Sequence, residues 1–321
     1  MPLELDELLE NLHHRNQTKF AKRPTVVNKD DSFDVEKLPI NAPEWHAIDD
    51  VVSVYFDLKS STNLAKGRRP ESTASIYDAG VGGVAKILRE FDAQFVDIQG
   101  DGGFGLFWGT NRYQRAVTAG ITVRTFSIDF TTQLETKWPE APSTGFKVGI
   151  ASGSLMAKRV GLPRHLDFQE PVWAGNPVNY AAKAAQQTTP DEMFVTGSVW
   201  DPIRDNDFLV FSCGCATPTA LWNTVVLEKI PDDEQHGHAL KSAWCSIHGE
   251  EYCEAVLSGK TRRDDITVSQ REELNRSAEG TSETHNAVVG RAKERERVRT
   301  VFAELSGQRG LAEASAPARR C

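Results

Sequence analysis

Between residues 50 and 230 the chain alternates short apolar runs with amphipathic stretches, the pattern of a core assembled from strands and helices. VVSVYFDL (51–58) is rich in β-branched and aromatic residues and reads as a buried strand. A helix over about 70–91 follows, opened by Pro70 with Glu71 in its first turn. FVDIQ (95–99) and GFGLFW (103–108) are joined by Gly100-Asp101-Gly102, a strong hairpin signal. A second helix is expected over about 112–135, and FKVGIAS (146–152) reads as another strand. After a charged loop, 177–187 predicts a helix, with EMFVTG (192–197) as a strand behind it. Strand, helix, hairpin, helix, strand is the order of the split βαβ, so the expected fold class is α+β, ferredoxin-like, βαββαβ.

Outside this core the pattern thins. Residues 1–46 are polar, with a short helical pattern at Leu3, Leu5, Leu8, Leu9 and Leu12 followed by a loop-like stretch, and are expected to form an N-terminal arm. The principal domain is set at 47–232, a cysteine- and histidine-containing subdomain at 233–258, and a polar tail with a charged helix near 286–306 at 259–321. A chain of 321 residues with 39% hydrophobic content can bury one core of about 150 to 200 residues, which fits one main domain with appendages. A net charge of −8 argues against nucleic-acid binding, since a polyanion partner calls for a clustered basic surface. A small anionic ligand needs only a few placed cations and a metal. No run approaches the roughly 18 apolar residues that span a bilayer, and the acidic, amphipathic N-terminus lacks a signal-peptide core. These features predict a soluble, cytoplasmic protein with no membrane partner. Five cysteines, an odd number crowded into the last third, do not make a secretory disulfide framework.

The chemistry-bearing residues lie at strand ends. In YFDLKSST, Asp57 closes a buried strand and is followed by Ser60, Ser61 and Thr62, a loop whose backbone N–H and hydroxyl groups suit phosphate oxygens. Asp101 sits in the hairpin turn, where Gly100 and Gly102 permit close approach. The first strand and the hairpin are neighbours in this fold, so the two carboxylates can converge. With triphosphate oxygens they make a ligand set that magnesium or manganese prefers. Taken singly, one acid is equally a turn residue and the other a helix cap. In WAGNPVNYAAKAA, Asn179 and Lys183 stand four apart and share a helix face, either a solvated one or one that orients a ribose and neutralises phosphoryl charge.

These blocks resemble the class III adenylate and guanylate cyclases. FDLKSST, IQGDGGFGLF, VGIASG and AGNPVNYAAK match that family's two metal elements, central strand and catalytic helix in order, over about 50–200. The resemblance implies a head-to-tail homodimer that binds a nucleoside triphosphate at its interface. In one subunit Asp57, the carbonyl of Leu58 and Asp101 would hold two Mn²⁺ or Mg²⁺ ions. Phe56, Ser60, Ser61 and Thr62 would join the substrate site there, while Asn179 and Lys183 would come from the other subunit. It also implies a two-metal cyclisation in which the ribose 3′-hydroxyl attacks the α-phosphorus and pyrophosphate leaves, without a protein nucleophile. Lys183 departs from the family's usual arginine and lacks its bidentate fork.

The base-reading positions also depart. Where adenylate cyclases carry Lys and guanylate cyclases Glu, this chain has Asp97, and at the second position it has Val172. An ionised Asp97 only accepts hydrogen bonds, which suits uracil N3–H, the cytosine amino group or guanine N1–H; pairing with a neighbouring cation is its structural alternative. Tyr55, two residues before Asp57, should share its face and either narrow the base pocket or join the core. The combination looks like the pyrimidine cyclases of bacterial antiphage signalling, the Pycsar cyclases, whose cyclic UMP or CMP is read by a separate effector. UTP is favoured over CTP, with a purine cyclase and a non-catalytic nucleotide-binding module as alternatives. Finally, Cys213, Cys215, Cys245, His248 and Cys253 could supply one structural Zn²⁺ or remain reduced and buried.

Overall fold

The structure is a computed structural model that describes residues 4–40, 43–162, 165, 168–231 and 234–276. In chain order its elements are α1 (Leu5–Phe20), β1 (Thr25–Asn28), β2 (Glu44–Leu58), α2 (Ser61–Ala65), α3 (Pro70–Glu90), β3 (Phe95–Gln99), β4 (Gly102–Phe107), α4 (Arg112–Lys137) and β5 (Phe146–Gly161). They continue through β6 (Gln169–Gly175), α5 (Asn176–Ala185), β7 (Met193–Thr196), α6 (Gly197–Ile203), α7 (Asp207–Val210), β8 (Trp222–Val226), β9 (His236–Leu240) and α8 (Gly249–Leu257). The sheet runs β3-β4-β2-β5-β7-β9-β8, with β1 paired to β2 and β6 to β5. Its first four strands, all antiparallel neighbours, carry the ferredoxin-like βαββαβ order.

Alternation along β2 divides its residues between two cores. Val52, Val54, Phe56 and Leu58 are buried in the cluster that α3 and α4 close, whereas Val51 and Tyr55 belong to the cluster on the opposite face. On that opposite face α5 lies almost against the backbone of β5. A Cβ placed on Gly149 would meet the carbonyl oxygen of Ala181 at 2.1 Å, so glycine in the strand and the buried alanines 181, 184 and 185 in the helix set this separation.

Three expectations change. The segment expected as an arm adds β1 to the sheet and buries Phe33 and Leu38 with Trp108, because two well-spaced apolar residues fill the open face of β2. The helix α1 before it has no buried residue. Strand β5 continues past Ser152 into a long hairpin with β6, so much of the stretch expected as a charged loop, Lys158 and Arg159 included, is strand. The segment 233–258 is no separate unit: β9 pairs with both β7 and β8, and Tyr252, Ala255 and Val256 of α8 join the main core. The charged helix expected near 286–306 lies outside the described residues.

Candidate active site

Asp57, the last residue but one of β2, is in register with Gly102, the first residue of β4, and the backbone N–H of Leu58 donates to the carbonyl of Asp101 at 3.1 Å. This pairing draws the hairpin turn onto the end of β2. A side chain at Gly102 would press on the Phe56 carbonyl at 2.7 Å and approach a carboxylate oxygen of Asp57 at 3.4 Å, so the residue leaves that oxygen accessible. The acids feel one another: burial raises the pKa of Asp57, the Asp101 charge raises it further, and Lys147 opposes both. Tyr55 reports the same charges, its phenol raised by burial first and then by Asp57 and Asp101.

Register places the remaining groups. Tyr55 pairs with Phe104, and Phe104 with Asp97, so these three form one cross-strand row on the face that carries Asp57. Asp97 accepts a 2.8 Å hydrogen bond from the amide of Gln99, and among the described residues no ion pair is formed by it. The next row runs Lys147, Asp57, Gly102, Gln99. Tyr55 is half-buried and packs against two core clusters while sharing the acids' field.

The loop after Asp57 is held at its root, with Lys59 donating to the Gly145 carbonyl at 3.0 Å and Thr144 to the Lys59 carbonyl at 2.6 Å. Ser60 adopts a left-handed conformation, φ 62°, and turns the chain so that Ser61 and Thr62 begin α2. The first N–H groups of a helix have no intrahelical acceptors, so this loop presents donors beside the hydroxyls. The Phe56 ring is wholly buried against Phe146, and only its backbone is available at the site.

Sequence reasoning missed Lys147 and Gln99. The signal for Lys147 was a cation at an alternating position in an otherwise apolar strand, but its partner appears only once β2 and β5 are paired.

No protein-family model matches the sequence. A curated uridylate cyclase of Micromonospora echinofusca is 52% identical over 272 residues, covering 84% of this chain and 89% of the relative. A uridylate cyclase of Propioniciclava tarda is 44% identical over 279 residues, covering 85% and 90%. The chain belongs to the uridylate cyclase family. The adenylyl cyclase CyaB of P. aeruginosa shares the fold, with a TM-score of 0.51 at 15% identity over 62% of this chain and 97% of that one. The protein is therefore a nucleotide cyclase with a class III cyclase catalytic fold.

Among the described residues no hydrogen bond or ion pair joins Asn179 or Lys183 to Asp57 or Asp101. Asn179 is exposed on α5 and donates at 3.3 Å to the Gly175 carbonyl, and the Lys183 ammonium lies 5.7 Å from the Tyr180 ring centre. Val172 is exposed on β6 and paired with Lys158. No described helix of the cyclase is long and apolar enough to cross a membrane.

The cysteine and histidine candidates divide. The ligand atoms of Cys213, Cys215, Cys245 and His248 all lie within 4.8 Å of one another. Cys253 does not belong with them: it is carried on α8, half-buried, with its thiol pushed up by burial first and by the Glu254 charge. Cys245 is pulled down to about 6 by N–H donation from His248 and Ile247, and Cys215 is pushed up to about 11 by the thiols of Cys213 and Cys245.

Proposed function

We propose that this cyclase converts UTP to 3′,5′-cyclic UMP and pyrophosphate at sites shared between two copies in a head-to-tail homodimer. The observation that carries the base assignment is the row Tyr55, Phe104, Asp97, in which Gln99 holds an acceptor-only carboxylate on the face of Asp57. Uracil offers its imide N3–H to such a group, whereas adenine N1 is itself an acceptor and is repelled by a carboxylate. The names of the two curated relatives support the same substrate.

Asp57, Asp101 and the Leu58 carbonyl are an all-oxygen donor set, and two mutually repelling acids in a half-buried position fit a pair of Mn²⁺ or Mg²⁺ ions. Bound there, the ions supply acidity to the ribose 3′-hydroxyl and positive charge to the triphosphate. The chain's own groups position the reactants. Lys147 and the Ser60–Thr62 loop hold phosphate oxygens. Asn179 orients the ribose of a nucleotide bound to the other copy, and Lys183 neutralises charge that develops on its α-phosphorus. As a point charge on a flexible stem, Lys183 contributes attraction more than angular control. No nucleophile is required, since positioning and charge account for this chemistry. The cyclic nucleotide then serves in the cytoplasm as a second messenger of antiphage defence, read by a separate effector.

The test of the base assignment is Asp97→Ala. Loss of a charge-assisted hydrogen bond lowers kcat/KM for UTP by about 10- to 100-fold. An unchanged value would remove Asp97 from base recognition.

A further inference from the structure

We propose that Cys213, Cys215, Cys245 and His248 form a structural zinc site that ties the loop after α7 to the loop before α8. The proposal is independent of which triphosphate the cyclase uses, because none of these residues lies on β2, β3, β4 or β5.

The donor set is three thiols and one imidazole, the ligands that Zn²⁺ takes in closed tetrahedral structural sites. Its spacing fits. Cys215 Sγ lies 3.6 Å from Cys245 Sγ and 3.3 Å from His248 Nδ1, and Cys245 Sγ lies 3.9 Å from the same nitrogen. A tetrahedron with Zn–S near 2.3 Å and Zn–N near 2.0–2.1 Å has S···S edges of about 3.8 Å and S···N edges of about 3.6 Å. A disulfide between Cys215 and Cys245 would instead need a bond of about 2.05 Å.

The surroundings are those of a ligand knuckle. Cys245-Ser246-Ile247-His248 folds so that the Ile247 N–H points to Cys245 Sγ at 3.4 Å while Gly249 N–H closes onto the Cys245 carbonyl at 2.8 Å. An N–H aimed at sulfur stabilises a thiolate, the form that binds metal, and secondary hydrogen bonds of this kind orient metal ligands. The His248 ring stacks on Tyr252, at 5.8 Å between centres, which fixes the direction of Nδ1. Both loops are tied to their surroundings by hydrogen bonds. Trp244 donates from its indole to Thr122 at 2.9 Å and from its backbone to Thr125 at 3.0 Å, both on α4. On the other side Arg263 donates to the Ser212 carbonyl at 2.6 Å. Two anchored loops thus meet at four ligand atoms, and the ion would staple the C-terminal segment to the helix beneath the sheet. The expected role is folding energy and not turnover.

The experiment uses the full chain, purified under reducing conditions without chelator from zinc-supplemented cells. Elemental analysis should find about one zinc per chain, and replacement by Co²⁺ should give the intense visible bands of a tetrahedral thiolate site. Cys245→Ser and His248→Ala should lose the metal and melt several degrees lower, and Cys253→Ser should keep it. If the two ligand variants fail to fold, the wild-type zinc content and the Co²⁺ spectrum still decide. Wild-type protein that contains no zinc and takes up no Co²⁺, a Cys215–Cys245 disulfide found by mass spectrometry, or metal lost from Cys253→Ser would each overturn the proposal.

Discussion

The side chains of Tyr55, Asp57 and Lys147 share one face of two paired strands, and their electrostatics give that face a measurable signature. Burial and the Asp101 charge hold the pKa of Asp57 above its ordinary 3.8. A raised carboxylate pKa in the folded state contributes stability that is present below the unfolded value and lost as pH rises through the folded one. The ion-free protein is therefore strained near neutrality by this half-buried acid. Asp57→Asn should raise the melting midpoint in chelator by about 2 °C at pH 7, with a smaller gain near pH 4. It should also abolish both cyclisation and the stabilisation that Mn²⁺ gives the wild type. A midpoint that falls in chelator would contradict this reading. The acids, Tyr55 and Asp97 were legible in the sequence because a period of two and a Gly-Asp-Gly turn fix their face and place. Lys147 and Gln99 were not, because a sequence shows what alternates along one strand and not which strand lies beside it.

Elements tell a similar story at larger spacing. The helices at Pro70–Glu90 and Arg112–Lys137 and the strands flanking the hairpin were predictable from their apolar periodicity and turn residues. Strand β9, HGHAL, was not, since two histidines and a glycine carry no strand pattern and pairing with β7 and β8 alone makes it one. Tertiary context likewise placed Phe33 and Leu38 in the core. The packing of α5 on β5 depends on a single absent side chain. Gly149→Val would drive two methyl groups into the backbone at Ala181, and overpacking of this kind costs about 3 kcal/mol. The expected result is a melting midpoint lower by about 10 °C, with α5 and its Asn179 displaced and kcat reduced more than UTP affinity. A variant of unchanged stability would show that helix and strand are less closely packed than described.

At the scale of the whole molecule, the proposed function divides each site between two copies, Asp57 and Asp101 from one and Asn179 and Lys183 from the other. Asp57→Ala and Asn179→Ala proteins, each inactive alone, should recover part of the activity when mixed, as mixed dimers regain one intact site. Absence of any recovery would argue for sites within single chains. The C-terminal segment is bound to the same body by Asp207, fully buried. Burial works to raise its pKa, but the Arg271 guanidinium, the Arg263 N–H and Arg262 outweigh this and hold it down. That network was visible in sequence only as scattered charged residues, because its partners are separated by up to 64 positions, whereas the cysteines and His248 were already grouped as candidate ligands and the structure leaves out only Cys253. The central claim concerns the base, and product analysis with UTP, CTP, ATP and GTP supplied together with Mn²⁺ tests it most directly. Cyclic UMP should be the main product, about tenfold or more above any other, and cyclic AMP as the main product would contradict the account.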